Sequence, residues 1–106
     1  MPTGLCLRIY LSESDKIDDS PALETILQLC LKAGLHGVSV LRGIEGLGKH
    51  GIHSTSFLEL SSHLPIIVEA IDCEEKINQA LTTLQNKLPS ALIATWPVQL
   101  IQTASE

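Results

Sequence analysis

Aromatic side chains are almost absent. Tyr10, Phe57 and Trp96 are the only three in 106 residues. So few rings leave little for a base-stacking surface. Basic residues are scarce as well, seven Lys and Arg against twelve Asp and Glu, for a net charge of −5. That balance speaks against gripping a phosphate backbone, and no nucleic-acid partner is expected. Cysteines number three, Cys6, Cys30 and Cys73, with no Cys-x-x-Cys spacing. An odd count without that spacing fits neither a disulfide framework nor a zinc ribbon. The thiols read as packing residues in a reducing compartment. No basic stretch followed by an apolar run opens the chain, so no signal peptide is expected. The 18 uncharged residues from Leu88 to Ser105 reach the length of a membrane span. Pro89, Pro97, Gln99 and Gln102 break that run. No membrane insertion is expected, and the expected location is the cytoplasm. Neither a Ser-His-Asp set nor a carboxylate pair stands out, so no catalytic residues and no enzyme activity are expected.

What is abundant is aliphatic. Hydrophobic residues make up 44% of the chain, too many for a disordered segment and enough for one domain spanning residues 1–106. Leu5, Leu7, Ile9 and Leu11 alternate with Cys6, Arg8 and Tyr10, which predicts a strand. Ser12–Ser20 is acidic and reads as a loop. Ser20 as cap, Pro21 as first helical residue and Glu24 in the first turn predict a helix start. Leu23, Ile26, Leu27, Cys30 and Leu31 follow at helical spacing, and Gly34 ends the helix. Val38 to about Arg42 predicts a second strand. Ser56–Leu60 reads as a strand or short helix, and Pro65–Ile71 as a clear strand. Asp72 with Glu75 approximates a capping box for a helix carrying Ile77, Leu81, Leu84 and Leu88, stopped by Pro89. Leu92–Ile101 predicts a last strand, interrupted at Pro97 and therefore at a sheet edge.

The order β-α-β-loop-β-α-β predicts a ferredoxin-like α+β sandwich, an antiparallel sheet with both helices on one face. Ile66, Val68 and Ala70 point one way, Ile67, Glu69 and Ile71 the other, and both sets are largely apolar. A single helix layer covers only one face. Cys6, Arg8 and Tyr10 are expected on the other, closed by further copies of the chain.

Four of the seven glycines, Gly43, Gly46, Gly48 and Gly51, crowd into one short segment. Gly46 to Gly51 is a literal G-x-G-x-x-G, but nothing after it reads as the helix a dinucleotide fold requires, and no Walker loop is present. The segment also gathers Arg42, Lys49, His50 and His53 in an otherwise acidic chain. Glycine backbone can aim several N–H groups at one anion. Two readings stay open: a loop for a phosphate or carboxylate ligand, and a solvated hairpin whose glycines merely permit the turn. His50, His53 and His63 offer a third, a divalent-metal site, against which their place among glycines speaks. Arg8, mid-strand between apolar neighbours, needs a partner, and Glu69 is the natural one. That pair reads either as a structural ion pair near a subunit interface or as a ligand anchor in a cleft between subunits.

Leu7-Arg8-Ile9-Tyr10 with Glu13-Ser14-Asp15-Lys16 resembles the opening of the small PII-like proteins grouped as domain of unknown function 190. The stretch from Gly34-Leu35-His36-Gly37 through Arg42-Gly43-Ile44-Glu45-Gly46-Leu47-Gly48 resembles that family's most characteristic segment. His53-Ser54-Thr55, Leu64 to Glu69 and Asp72 to Ile77 continue the likeness, which covers about residues 4–101. The resemblance implies a ferredoxin-like homotrimer that holds small effectors, often adenine nucleotides, in clefts between subunits. It also implies a long loop, here Gly43 to about Ser56, that contacts a protein partner such as a membrane transporter. Residues Arg42 to Gly48 would form the base of that loop and one wall of the cleft. PII proteins carry a second glycine- and lysine-rich phosphate loop where this chain has Asn86 to Ala91 without glycine. They also carry a basic cluster where Gln99, Gln102 and Thr103 stand. Tight ATP binding of the PII kind is therefore not expected. The expected ligand residues are Arg8, Arg42, Gly43, Glu45, Gly46, Gly48, Lys49, His53 and Glu69. No resident cofactor is expected beyond a nucleotide or other small anionic effector. The alternatives are a divalent-metal tolerance protein and a purely structural interaction module.

Overall fold

The structure, a computed structural model, describes residues 3–48, 51–54, 64–88 and 90–103, with 45–48 and 51–54 as backbone only. In chain order the elements are β1 (Thr3–Ser12), β2 (Lys16–Ile17), β3 (Ser20–Pro21), α1 (Ala22–Lys32), β4 (Val38–Arg42) and β5 (Glu45–Gly48). They continue with β6 (Gly51–Ser54), β7 (Pro65–Cys73), α2 (Glu74–Lys87) and β8 (Leu92–Gln99). The main sheet has the order β4-β7-β1-β8, antiparallel throughout. Strands β1 and β4, joined through α1, flank β7 rather than each other. This is the split crossover of a ferredoxin-like fold.

Register explains which residues are buried. Leu7 pairs with Ala70 and Ile9 with Val68, so the alternating aliphatics of β1 and β7 share one face. Helix α2 lies on those two strands and α1 packs against α2. Leu7, Ile9, Ile26, Val68, Ile77 and Leu84 are all under 2% exposed. Each such side chain contributes about 1.5–3 kcal/mol by leaving water. Strand β8 runs unbroken through Pro97, which sits opposite Leu5. Strand β8 is the outer strand of the described sheet, a position where a proline is tolerated.

Helix ends differ from expectation in two places. Ser20 and Pro21 are taken into a small hairpin, where Lys16 pairs with Pro21 and Ile17 with Ser20. Asp18 and Asp19 form its turn at φ 51 and 67, the left-handed pair that a tight two-residue turn requires. Ile17 is thereby buried against the core. Helix α1 starts one residue later, at Ala22, with Pro21 in the cap position and no side-chain cap. The Ala22 N–H donates instead to the Asp15 carbonyl at 2.9 Å. At α2 the strand before it continues to Cys73, which takes the cap position, so Asp72 and Glu75 do not form a capping box. The other end of α1 is as expected. Gly34 has φ +80, its N–H donates to the Leu31 carbonyl at 3.0 Å and the Leu35 N–H to Cys30 at 3.2 Å. That is a Schellman stop, with Leu35 buried beside the last turn.

The Ser56–Leu60 segment, expected as strand or helix, lies outside the described residues, as does Phe57. Within the glycine-rich segment, β5 and β6 pair as a ribbon, Glu45 with Ser54 and Gly48 with Gly51.

Candidate functional site

The face of the sheet away from the helices carries the first group of candidate residues. Register places Cys6, Arg8 and Tyr10 of β1 there with Ile67, Glu69 and Ile71 of β7, Leu41 of β4 and Leu92, Ala94 and Trp96 of β8. Arg8 lies directly opposite Glu69, and its Nε donates to Glu69 Oε2 at 2.7 Å. The carboxylate stabilises the cation and raises the Arg8 pKa. The guanidinium also sits 5.7 Å from the centre of the Trp96 ring, within cation–π range. Cys6 is shaded by its cross-strand neighbours Ile71 and Trp96 and is only 2% exposed, so it does not stand open on this face. Burial, and then the Glu69 charge, push its thiol pKa up, leaving it a poor nucleophile. Around the ion pair, Leu41, Ile71, Leu92 and Trp96 remain substantially exposed.

The second group lies at the stem of the glycine-rich segment. Arg42 ends β4 opposite Ile66, on the helix-side face by register. Its Nη1 meets Oε1 of Glu13, just beyond the end of β1. The Gly43 N–H donates to the Pro65 carbonyl at 2.8 Å, and the Glu13 N–H to the Leu64 carbonyl at 3.1 Å. A Cβ at Gly43 would overlap the Pro65 ring, so glycine is required where the chain leaves the sheet. Both ends of the inserted segment are thus tied to the turn after β1.

These two groups do not form one site within a chain. Arg8 and Glu69 belong to one face of the sheet and Arg42 to the other, because β7 residues 66 and 69 differ in parity. Glu45, Gly46 and Gly48 lie on β5, and His53 lies on β6 opposite Gly46. Lys49, His50 and His63 lie outside the described residues. Among the described residues, no three His, Cys, Asp or Glu side chains come together as a metal cluster.

Two contacts escaped the sequence reading. One is the Glu13–Arg42 pair. The other is Asp72, which joins the turn after α1 to the start of α2. Its Oδ2 accepts from the His36 N–H at 3.2 Å and its Oδ1 from the Cys73 N–H at 2.8 Å. Burial raises the Asp72 pKa, but those two N–H groups and the nearby Lys76 and His36 charges outweigh it and the net shift is downward. Lys76 Nζ reaches the Gly34 carbonyl at 3.3 Å and closes the same junction.

The sheet order, the two helices on one face and a ribbon inserted between β4 and β7 define a PII-like ferredoxin-fold protein. Among solved structures, CPII from Thiomonas intermedia K12 is similar. It is described as a nitrogen regulatory PII-like protein bound to ADP, AMP and bicarbonate. It superposes with a TM-score of 0.69 at 21% identity, over 92% of this chain and 88% of that one. The GlnK–ATP complex of B. subtilis gives a TM-score of 0.59 at 15% identity, over 92% and 84% of the two chains. Residues 4–100 match the DUF190 family, described as an uncharacterized ACR, and the chain belongs to that family. Named relatives agree. A UPF0166 protein of Aquifex aeolicus is 36% identical over 96 residues, 90% of either chain. One of Methanocaldococcus jannaschii is 37% identical over 78 residues, 74% of this chain and 72% of that one.

Proposed function

We propose that this chain is a non-enzymatic PII-like regulatory protein. It assembles as a homotrimer over the open sheet face and binds a small anionic effector in the clefts between subunits. The glycine-rich segment, about 43–56, carries the bound state to a protein partner, a membrane transporter being one candidate. The observation that carries the reading is Arg42, a water-exposed guanidinium at the stem of that segment, next to a glycine that the fold requires. Occupancy there bears directly on the backbone that leads into the segment. The Arg8–Glu69 pair falls on the other face and is read as part of the subunit contact. CPII, similar in fold, is described with ADP, AMP and bicarbonate, all of them anions. The turn from α2 to β8 has no glycine to wrap a long phosphate chain. That favours ligands with fewer phosphates than ATP. Among the described residues no helix is long and apolar enough to cross a membrane.

Calorimetric titration with ADP, AMP, ATP and bicarbonate tests this, with native mass spectrometry of the same samples. The wild type is expected to bind at least one of the four. Arg42→Ala and Gly48→Val should weaken that binding and leave the assembled mass unchanged. A wild-type protein that binds none of the four sinks the effector reading.

A further inference from the structure

We propose that Glu13 is an internal competitor for the anion site. Its carboxylate holds Arg42 in the unliganded chain, and a phosphate-bearing ligand binds by taking the guanidinium from it. This rests on Arg42 being an anion-binding residue and adds what that residue does before the ligand arrives.

The two partners differ in freedom. The Arg42 side chain is 61% exposed and the Glu13 side chain only 17%. Glu13 is held through its main chain, since its N–H donates to the Leu64 carbonyl. The turn around it is pinned as well: the Ser12 N–H donates to Asp15 Oδ2 at 2.9 Å, and the Asp15 carbonyl takes the first N–H of α1. The backbone that carries Glu13 is therefore fixed and its side chain is largely buried, whereas the longer, exposed Arg42 side chain has more freedom to swing. A guanidinium presents the same planar fork to a carboxylate and to a phosphate, so one anion substitutes for the other without new geometry.

Exchange has a consequence for the segment that follows. The Glu13–Arg42 pair is a side-chain tie between the turn after β1 and the end of β4. Two backbone bonds, Glu13 to Leu64 and Gly43 to Pro65, remain when it opens. Ligand binding and release of one stem tie are then the same event. The internal carboxylate also sets a threshold, because a weak anion cannot displace a tethered competitor.

The test is titration of the full chain with ADP, and with inorganic phosphate as the simplest probe. Wild type, Glu13→Gln, Arg42→Ala and the double variant are compared. The Nε resonance of Arg42 is followed by NMR in the absence of ligand. Glu13→Gln is expected to tighten binding about two- to fivefold, the range for a partly exposed ion pair. Arg42→Ala should weaken binding, and in its presence Glu13→Gln should have no further effect. The free Glu13→Gln protein should shift the Arg42 resonance toward its position in the ADP-bound wild type. Unchanged or weaker binding by Glu13→Gln, with Arg42→Ala still damaging, overturns the competitor and leaves Arg42 as an anion site. If the wild type binds neither probe but Glu13→Gln binds one, the competitor stands and masks the site in the wild type. If neither protein binds either probe, the anion-site reading and the competitor fall together.

Discussion

Trp96 offers a direct measure of whether the open sheet face is closed by other copies. Its ring lies beside Arg8, and 39% of the residue stays in contact with water in the single chain. For a side chain that can bury up to about 250 Å², that remainder is about 100 Å². Covering it in an assembly contributes about 2.5 kcal/mol per subunit at roughly 25 cal/mol/Å². Trp96→Ser should therefore weaken association by about 70-fold per subunit. Sedimentation equilibrium at several protein concentrations reads the effect. Leu31→Ser is the control, because Leu31 is 69% exposed on α1, on the helix side of the sheet. It should leave the mass distribution unchanged. A wild type that is monomeric at micromolar concentration refutes the closed-face argument. So does a Trp96→Ser protein that assembles as well as the Leu31→Ser control.

Two further outcomes follow from the core and from the Asp72 junction. Ile77 is 0% exposed between α2 and the sheet, so Ile77→Ala should cost about 2–5 kcal/mol in urea unfolding at fixed protein concentration. A loss below 1 kcal/mol would show that the site collapses around the smaller side chain. Asp72 has a folded pKa below its ordinary value. Its contribution is therefore present above the unfolded carboxylate pKa, near 3.9, and fades as pH falls through the lower folded value. The stability gap between wild type and Asp72→Asn should shrink as pH falls below about pH 4. A gap that does not change with pH assigns the effect to shape rather than charge.

Much of this fold can be read from local pattern. Alternation in β1 and β7, helical spacing in α1 and α2, and Gly34 as a stop are short-range rules, and each element appears where they place it. Pro97 announced an edge strand because the reason is equally local, a missing donor. Arg8 with Glu69 was also legible, since adjacency of their strands follows from the element order and a charge among aliphatics must find its opposite. The helix starts were less legible. Ser20 and Asp72 carry good capping chemistry, yet neighbours elsewhere in the chain claim them: Ile17 pairs with Ser20, and the His36 N–H binds Asp72.

The candidate site divides along the same line. Composition and spacing alone were enough to mark the cations around the glycine cluster, while the family likeness rested on matching residue stretches such as Gly34 to Gly48. They could not say that Arg8 and Arg42 point to opposite faces, because one residue of register along β7 decides it. Nor could they pair Arg42 with Glu13. That contact joins residues far apart in sequence and exists only once the sheet brings the end of β1 beside the end of β4. Local chemistry specifies which groups are present and which element each belongs to. Which of them meet depends on the non-local strand pairing.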